Sequence, residues 1–271
     1  MQLSLTAWSL PACTLEEAAA ISKALGIGAL DVGLFYRSAL DKAQILSDPK
    51  AAAKKLSSLG VKIPNYYHLF GDGLEGRNLS LPGTIDDNAR DLEQALIFAD
   101  AAKIATVFIL PGIVNPGQSR GEAMATSIES LNVLTAVAGN FKATICIEPH
   151  VHSWAESPDL VLGLIEATGI KLALDYSHFA CLGFRQDEID PLAPHAAHVH
   201  LRQARMGMLQ TKFAEGTLNF PAMFGTLRDA GYNGALAIEN VHQDYMNTLF
   251  EDVLTETITM RDCFNRWKGD T

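Results

Sequence analysis

The chain has 271 residues, 48% of them hydrophobic and 19% charged, which is enough apolar material for a full-sized core and excludes a disordered or fibrous protein. Its formal charge is −10, and so acidic a surface repels phosphate backbones, which sets nucleic acid aside as a partner. The length suits one or two domains, a single α/β barrel running to about 250 residues.

The opening MQLSLTAWSLPAC is apolar but lacks the basic stretch of a signal peptide. No uncharged apolar run reaches the ~18 residues of a membrane span, so neither secretion nor a membrane is expected. Cys13, Cys146, Cys181 and Cys263 lie far apart with no C-x-x-C pair, the usage of reduced, mostly buried thiols in a cytoplasmic protein.

Short aliphatic runs then alternate with longer polar stretches. A strand over Leu3–Trp8 leads to a helix over Leu15–Leu25, opened by Thr14 with Glu16 and Glu17 in its first turn. Strands at Ala29–Val32 and Lys62–Leu69 flank a helix at Ala51–Leu59. Helices follow at Asp86–Ala102 and Glu122–Ala138, each ahead of a strand, Thr106–Leu110 and Thr144–Glu148. A third pair is a helix at Pro158–Ala167, started by Ser157-Pro158-Asp159, and a strand at Lys171–Asp175. The series closes with a helix at Gln186–Leu192, a strand at Ala197–Leu201, a helix at Pro221–Ala230, a strand at Ala235–Glu239 and a helix at Asn247–Trp267. Gly60, Gly169 and Gly231 stand just past helix ends.

Such alternation fits a doubly wound sheet or a closed (β/α)8 barrel, and side-chain parity chooses between them. In the last four strands Ile145 and Ile147, Leu172 and Leu174, Val199 and Leu201, and Leu236 and Ile238 form large aliphatic faces. The opposite faces carry Thr144, Cys146 and Glu148; Ala173 and Asp175; His198 and His200; and Ala235, Ala237 and Glu239. A doubly wound sheet needs both faces apolar, whereas a barrel turns its second face into the lumen. No G-x-G-x-x-G follows the first strand and no phosphate-cradling G-x-x-x-x-G-K-[ST] occurs. The expectation is one (β/α)8 TIM barrel spanning 1–271.

That barrel brings Glu148, Asp175, His200 and Glu239 to one rim, an oxygen-rich set with one imidazole that suits a single divalent ion: Mn²⁺, with Mg²⁺, Co²⁺ or Zn²⁺ as alternatives. Three carboxylates that close repel unless a cation offsets them. His195 and His198 compete with His200. Two residues of strand place His198 ~6.6 Å deeper, in a supporting or packing position.

The segments ICIEPH, LALDYSHFACLG, HAAHVHLRQ and AEGTLNFPAMFGTLRDAGYNGALAIEN resemble the sugar-phosphate isomerase/epimerase family, the xylose-isomerase-like barrels of the endonuclease-IV-like superfamily. In the N-terminal half the likeness is one of pattern, as in LEQALIFADAAKIATVFILPG. The resemblance implies metal ligands at Glu148, Asp175, His200 and Glu239, and a substrate-holding histidine at His178. Two positions depart from it. The strand-seven motif usually continues Lys-Asp and here reads Arg202-Gln203, and the substrate arginine expected six residues past the histidine is Met206, with Arg205 one step short.

The chemistry expected is proton transfer next to a metal-polarised carbonyl, with Glu148 and Glu239 as base and acid on opposite sides of the reacting carbon. This is an isomerase or epimerase of a small ketose or hydroxy-keto acid. If a β-hydroxyl leaves, it is a dehydratase of the inosose or dehydroshikimate kind. Arg202, Arg205, His178, His150 and Trp8 are the substrate-binding set, with His152, Tyr66 and an orienting Asp31 as weaker members. An abasic-site endonuclease needs more histidines and a basic face, and a scaffold role would fit the loss of a ligand; neither matches this chain. The partner is a small molecule, not nucleic acid or membrane, with pairing of two barrels open.

Overall fold

The computed structural model describes residues 1–35, 38–241 and 252–269. Eight parallel strands close on themselves in chain order: β1 Gln2–Thr6, β2 Leu30–Gly33, β3 Asn65–Tyr67, β4 Thr106–Ile109, β5 Thr144–Ile147, β6 Lys171–Asp175, β7 Ala196–Leu201 and β8 Ala235–Ile238. Closure comes from β8 pairing with β1, Ser4 opposite Ala237 and Leu5 opposite Ile238.

Outside run the helices α1 Leu15–Ala24, α2 Lys42–Ser47, α3 Pro49–Ser57, α4 Ile85–Ala102, α5 Arg120–Ala138, α6 Pro158–Thr168, α7 Tyr176–Cys181, α8 Gln186–Ile189, α9 Phe220–Asp229 and α10 Val253–Gly269. Their starts follow local chemistry. Thr14 and Glu17 form a reciprocal capping box on α1, and the Ser157 hydroxyl accepts from Leu160 N on α6. Gly169, at φ +68°, adopts the left-handed turn that ends α6. Among the described residues no helix is long and apolar enough to cross a membrane.

The parity expected from sequence sorts the core into two. Ile145, Ile147, Leu172, Leu174, Val199, Leu201, Leu236 and Ile238 pack outward with the helices. Cys146 and Ala173 belong instead to a separate lumen cluster with Trp8, Tyr67, Phe108 and Val241.

Four expectations need correction. The strand over Lys62–Leu69 contracts to Asn65–Tyr67, because Pro64 offers no amide to the ladder; Lys62 keeps an isolated bridge to Ala29. The first strand ends at Thr6, and Trp8 lies in the 3-10 turn that follows it. The helix over Gln186–Leu192 is α-helical to Ile189 and then tightens into a 3-10 stretch containing Pro191 and Pro194. The six-residue helices α2 and α7 were not anticipated. Part of the helix expected over Asn247–Trp267 lies outside the described residues, and α10 begins at Val253.

Candidate metal centre and substrate cavity

Four strand ends converge at the C-terminal mouth. Glu148 and Glu239 each continue their strand by one ladder bond, Glu148 N to Ile109 O and Glu239 N to Leu201 O, both 3.0 Å. Asp175 closes β6 and caps α7, its Oδ1 accepting from Ser177 N at 2.8 Å. His200 sits in β7 opposite Asp175 and Ala237. One ligand atom from each of Glu148, Asp175, His200 and Glu239 lies within 4.8 Å of the others, and all four residues are buried. His200 Nδ1 is 2.5 Å from Glu148 Oε1 and 3.3 Å from Glu239 Oε2.

Arg202 completes this set. Its Nε and Nη2 donate to Asp175 Oδ2 at 3.0 and 2.7 Å, and Nε also reaches Ser177 Oγ at 2.8 Å. Nη2 stands 3.5 Å from Glu239 Oε2 and 3.0 Å from His178 Nε2. Arg202 is only 5% exposed, so these ion pairs are buried. With one guanidinium among three carboxylates the formal charge is −2, so a divalent ion makes the centre neutral rather than leaving the surplus negative charge expected from the carboxylates alone.

Electrostatics follow from that crowding. Burial pushes the Glu148 carboxyl up, and Glu239 and Asp175 add to the push against the pull of His200. Burial also opposes ionisation of Asp175, but Arg202 and then His178 and His200 overcome it and hold that carboxyl down. For His200, burial disfavours the imidazolium, and the facing Glu239 and Glu148 reverse this, raising it. Glu239 Oε2 and His200 Nε2 are buried with no hydrogen-bond partner among the described residues. The unsatisfied Glu239 oxygen, converging with His200 Nδ1 and the neighbouring carboxylates, fits a divalent cation, whereas His200 Nε2 lies on the other side of the ring.

Above the cluster opens a cavity of about 330 Å³ that includes Glu148, His150, His178, Arg202 and Glu239 on one side and Trp8, Phe35, Tyr67, Phe108 and Leu110 on the other. Trp8 donates from Nε1 to Glu239 Oε1 at 2.8 Å. His178 Nδ1 is 3.2 Å from Val151 N, and its Nε2 is 3.0 Å from Arg202 Nη2 and 3.7 Å from Asp175 Oδ2. His150 uses Nδ1 against Val151 O at 2.7 Å, and burial lowers its pKa to about 4, so the ring is neutral with Nε2 unpartnered.

The remaining residues fall elsewhere. Arg205 is exposed, its guanidinium against the Met208 sulfur at 3.1 and 3.2 Å. His152 is exposed and His195 half-buried, neither lining the cavity. Tyr66 packs outward, edge-on to Phe98 at 5.1 Å; its neighbour Tyr67 walls the mouth, stacked on Phe108 at 4.5 Å. Sequence reasoning missed Phe35, Tyr67 and Phe108. The parity test applied to β5–β8 would have found the last two had it been run on β3 and β4. A larger groove, about 670 Å³, lies at the N-terminal rim among Lys50, Lys54, Lys62 and Lys103, and no acid or histidine lines it.

The family model of xylose isomerase-like TIM barrels matches residues 19–255. The chain belongs to that family. Among curated relatives of this xylose isomerase-like barrel is 2-oxo-tetronate isomerase of Pectobacterium atrosepticum, 25% identical over 175 residues, 59% of this chain. The match spans 63% of that relative's length. Among solved structures, a D-tagatose 3-epimerase-like protein superposes with a TM-score of 0.75 at 16% identity, covering 100% of this chain and 99% of that one. The IOLI protein with a binding zinc atom gives 0.75 at 14% identity, covering 98% and 99%. A family 2 AP endonuclease from Brucella melitensis gives 0.70 at 18% identity, covering 92% and 97%. At such identities these structures share the fold.

Proposed function

We propose that this barrel is a metal-dependent isomerase or epimerase of a small ketose, hydroxy-keto acid or related sugar, working by proton transfer at the carbon next to a carbonyl. The observation that carries the reading is the meeting of Glu148, Asp175, His200 and Glu239 within 4.8 Å. These four side chains would hold one divalent ion, with Mn²⁺ our first choice. Such an ion would supply Lewis-acid polarisation and positive charge beside the carbonyl.

Glu148 and Glu239 take the proton-carrying roles. They directly follow β5 and β8, both line the cavity, and both face Nδ1 of His200. Burial raises the Glu148 carboxyl, which makes its carboxylate the more willing base. One glutamate removes the proton and the other returns one: at the opposite face of the same carbon this epimerises, at the neighbouring carbon it isomerises. Arg202 fixes the Asp175 carboxylate, and Trp8 fixes Glu239, so neither acid can swing away. His150 offers an acceptor nitrogen, and His178 lies beside it, both suited to substrate hydroxyls. The match to 2-oxo-tetronate isomerase favours a short hydroxy-keto acid. The dispersed cysteines, all free among the described residues, agree with a cytoplasmic enzyme.

The test is to load the chain separately with Mn²⁺, Mg²⁺ and Co²⁺ and offer ketoses and keto acids in D₂O. Deuterium entering beside the carbonyl, with product of the same formula, supports the reading. Loss of water turns it into a dehydratase, and exchange with no substrate under any ion rejects it.

A further inference from the structure

Beneath the rim, on the floor of the lumen, lies a polar layer that the proposed reaction does not use. TIM-barrel lumens are usually filled by layers of branched aliphatic side chains. Here β1, β2, β3, β4 and β7 contribute Ser4, Asp31, Asn65, Thr106 and His198. Asp31, Ser4 and Asn65 are 0% exposed and His198 1%. Ser4 Oγ donates to Asp31 Oδ1 at 2.5 Å, Asn65 Nδ2 to Asp31 Oδ2 at 3.2 Å, and Thr106 Oγ1 to Asn65 Oδ1 at 2.8 Å. The carboxylate is thus clamped from both oxygens, with His198 Nε2 2.7 Å from Oδ2. Burying an ionised carboxylate costs several kcal/mol, so packing alone does not account for it.

What stands above this layer is His200. The His198 ring lies edge-to-face with it at 5.0 Å, and Phe108 and Trp8 hold it at 5.1 and 6.1 Å. One atom each of Asp31, His198 and His200 falls within 4.8 Å of the others. Nδ1 of His200 faces Glu148 and Glu239, while Nε2 is buried without a hydrogen-bond partner among the described residues. Metal-ligating histidines are commonly oriented by a carboxylate on the far side of the ring.

We propose that Asp31 is a positioning residue for His200: held by Ser4 and Asn65, it fixes the His198 ring, which packs edge-to-face on the His200 ring and so orients Nδ1 towards Glu148 and Glu239. The inference rests on the reading that this cluster holds a divalent ion.

The experiment strips the full chain with a chelator and titrates it with Co²⁺ alone by calorimetry, alongside the visible spectrum of the bound ion. Asp31→Asn keeps the shape and removes the charge; it is expected to weaken Co²⁺ binding roughly 10–100-fold and to alter the Co²⁺ absorption bands. In Zn²⁺-loaded protein labelled with ¹⁵N-histidine, His200 is expected to be ligated through Nδ1, and that signature is expected to weaken or shift in Asp31→Asn. Unchanged affinity, bands and ¹⁵N-histidine spectrum in Asp31→Asn overturn the proposal. Should that variant fail to fold, Ser4→Ala and His198→Gln decide: weaker Co²⁺ binding in both supports it, and wild-type binding in both overturns it. A wild-type chain that takes up no Co²⁺ overturns the metal reading itself, a result separable from the others.

Discussion

The first four strands and the last four bring opposite chemistry to one cavity. From the β1–β4 side come Trp8, Phe35, Tyr67 and Phe108; from the β5–β8 side come Glu148, His150, His178, Arg202 and Glu239. Neither half suffices alone. The aromatic wall excludes water and lowers the local dielectric, which strengthens every charge interaction opposite it. The charged wall would repel itself apart without Arg202 at its centre. At the mouth the Trp8 indole bonds Glu239, and Trp8 and Phe108 pack against His200, stitching the halves together.

Substitutions can break that division of labour, and the largest effects belong on the charged side. Glu148→Gln and Glu239→Gln should each reduce deuterium exchange into substrate by roughly 10²–10⁴-fold with the circular dichroism spectrum unchanged. Near-normal exchange in either would remove that glutamate from the proton path. Asp175→Ala and His200→Ala should lower bound metal, read by elemental analysis after gel filtration. Metal uptake by the wild-type chain should also release protons and strengthen as pH rises, because His200, raised by its carboxylate neighbours, must lose a proton to ligate. Calorimetry in buffers of different ionisation enthalpy checks this.

Smaller effects sharpen the aromatic side. Trp8→Phe keeps the ring and removes the donor to Glu239, a charge-assisted bond worth about 1.5–3 kcal/mol. Exchange activity should fall while thermal stability changes modestly, and equal activity would make Trp8 mere wall. The smallest effect concerns His68, buried just past β3 against Tyr66 and Phe70. Burial, with Lys42 and Arg77 nearby, lowers its pKa to about 3, below the ~6.5 of an unfolded histidine. The unfolded chain therefore binds more protons between those values, and stability drains away as pH falls through that window. His68→Leu should flatten this acid limb by up to ~1.4 kcal/mol per pH unit in denaturant titrations.

The barrel was legible because β5–β8 alternate cleanly: Ile145, Leu172, Val199 and Leu236 pack outward, and the rim acids and His200 follow from the same two-residue period. The partners of those residues were not legible. Nothing local in Arg202-Gln203 shows that the guanidinium folds back onto Asp175, 27 residues away, while still lining the cavity. Asp31, seen in sequence as an orienting acid, gains its meaning from Ser4, Asn65 and His198, on three other strands. The contact of His198 with Asp31, across the lumen from β7 to β2, depends on closure of the barrel, which brings β1 beside β8 across more than 230 residues. The short helices α2 and α7 escaped because a six-residue helix carries less than two turns of periodicity.

Asp175 is both the last residue of β6 and the first anchor of α7, holding Ser177 N with one oxygen and Arg202 with the other. The same side chain therefore nucleates a helix and fixes a corner of the cluster, and the two tasks share one rotamer. A lineage drifting towards a new substrate can reshape the aromatic wall one residue at a time. It cannot lengthen or shorten this arm without unpicking the chain that follows, so the anchoring corner should be inherited unaltered while the opposite wall diversifies.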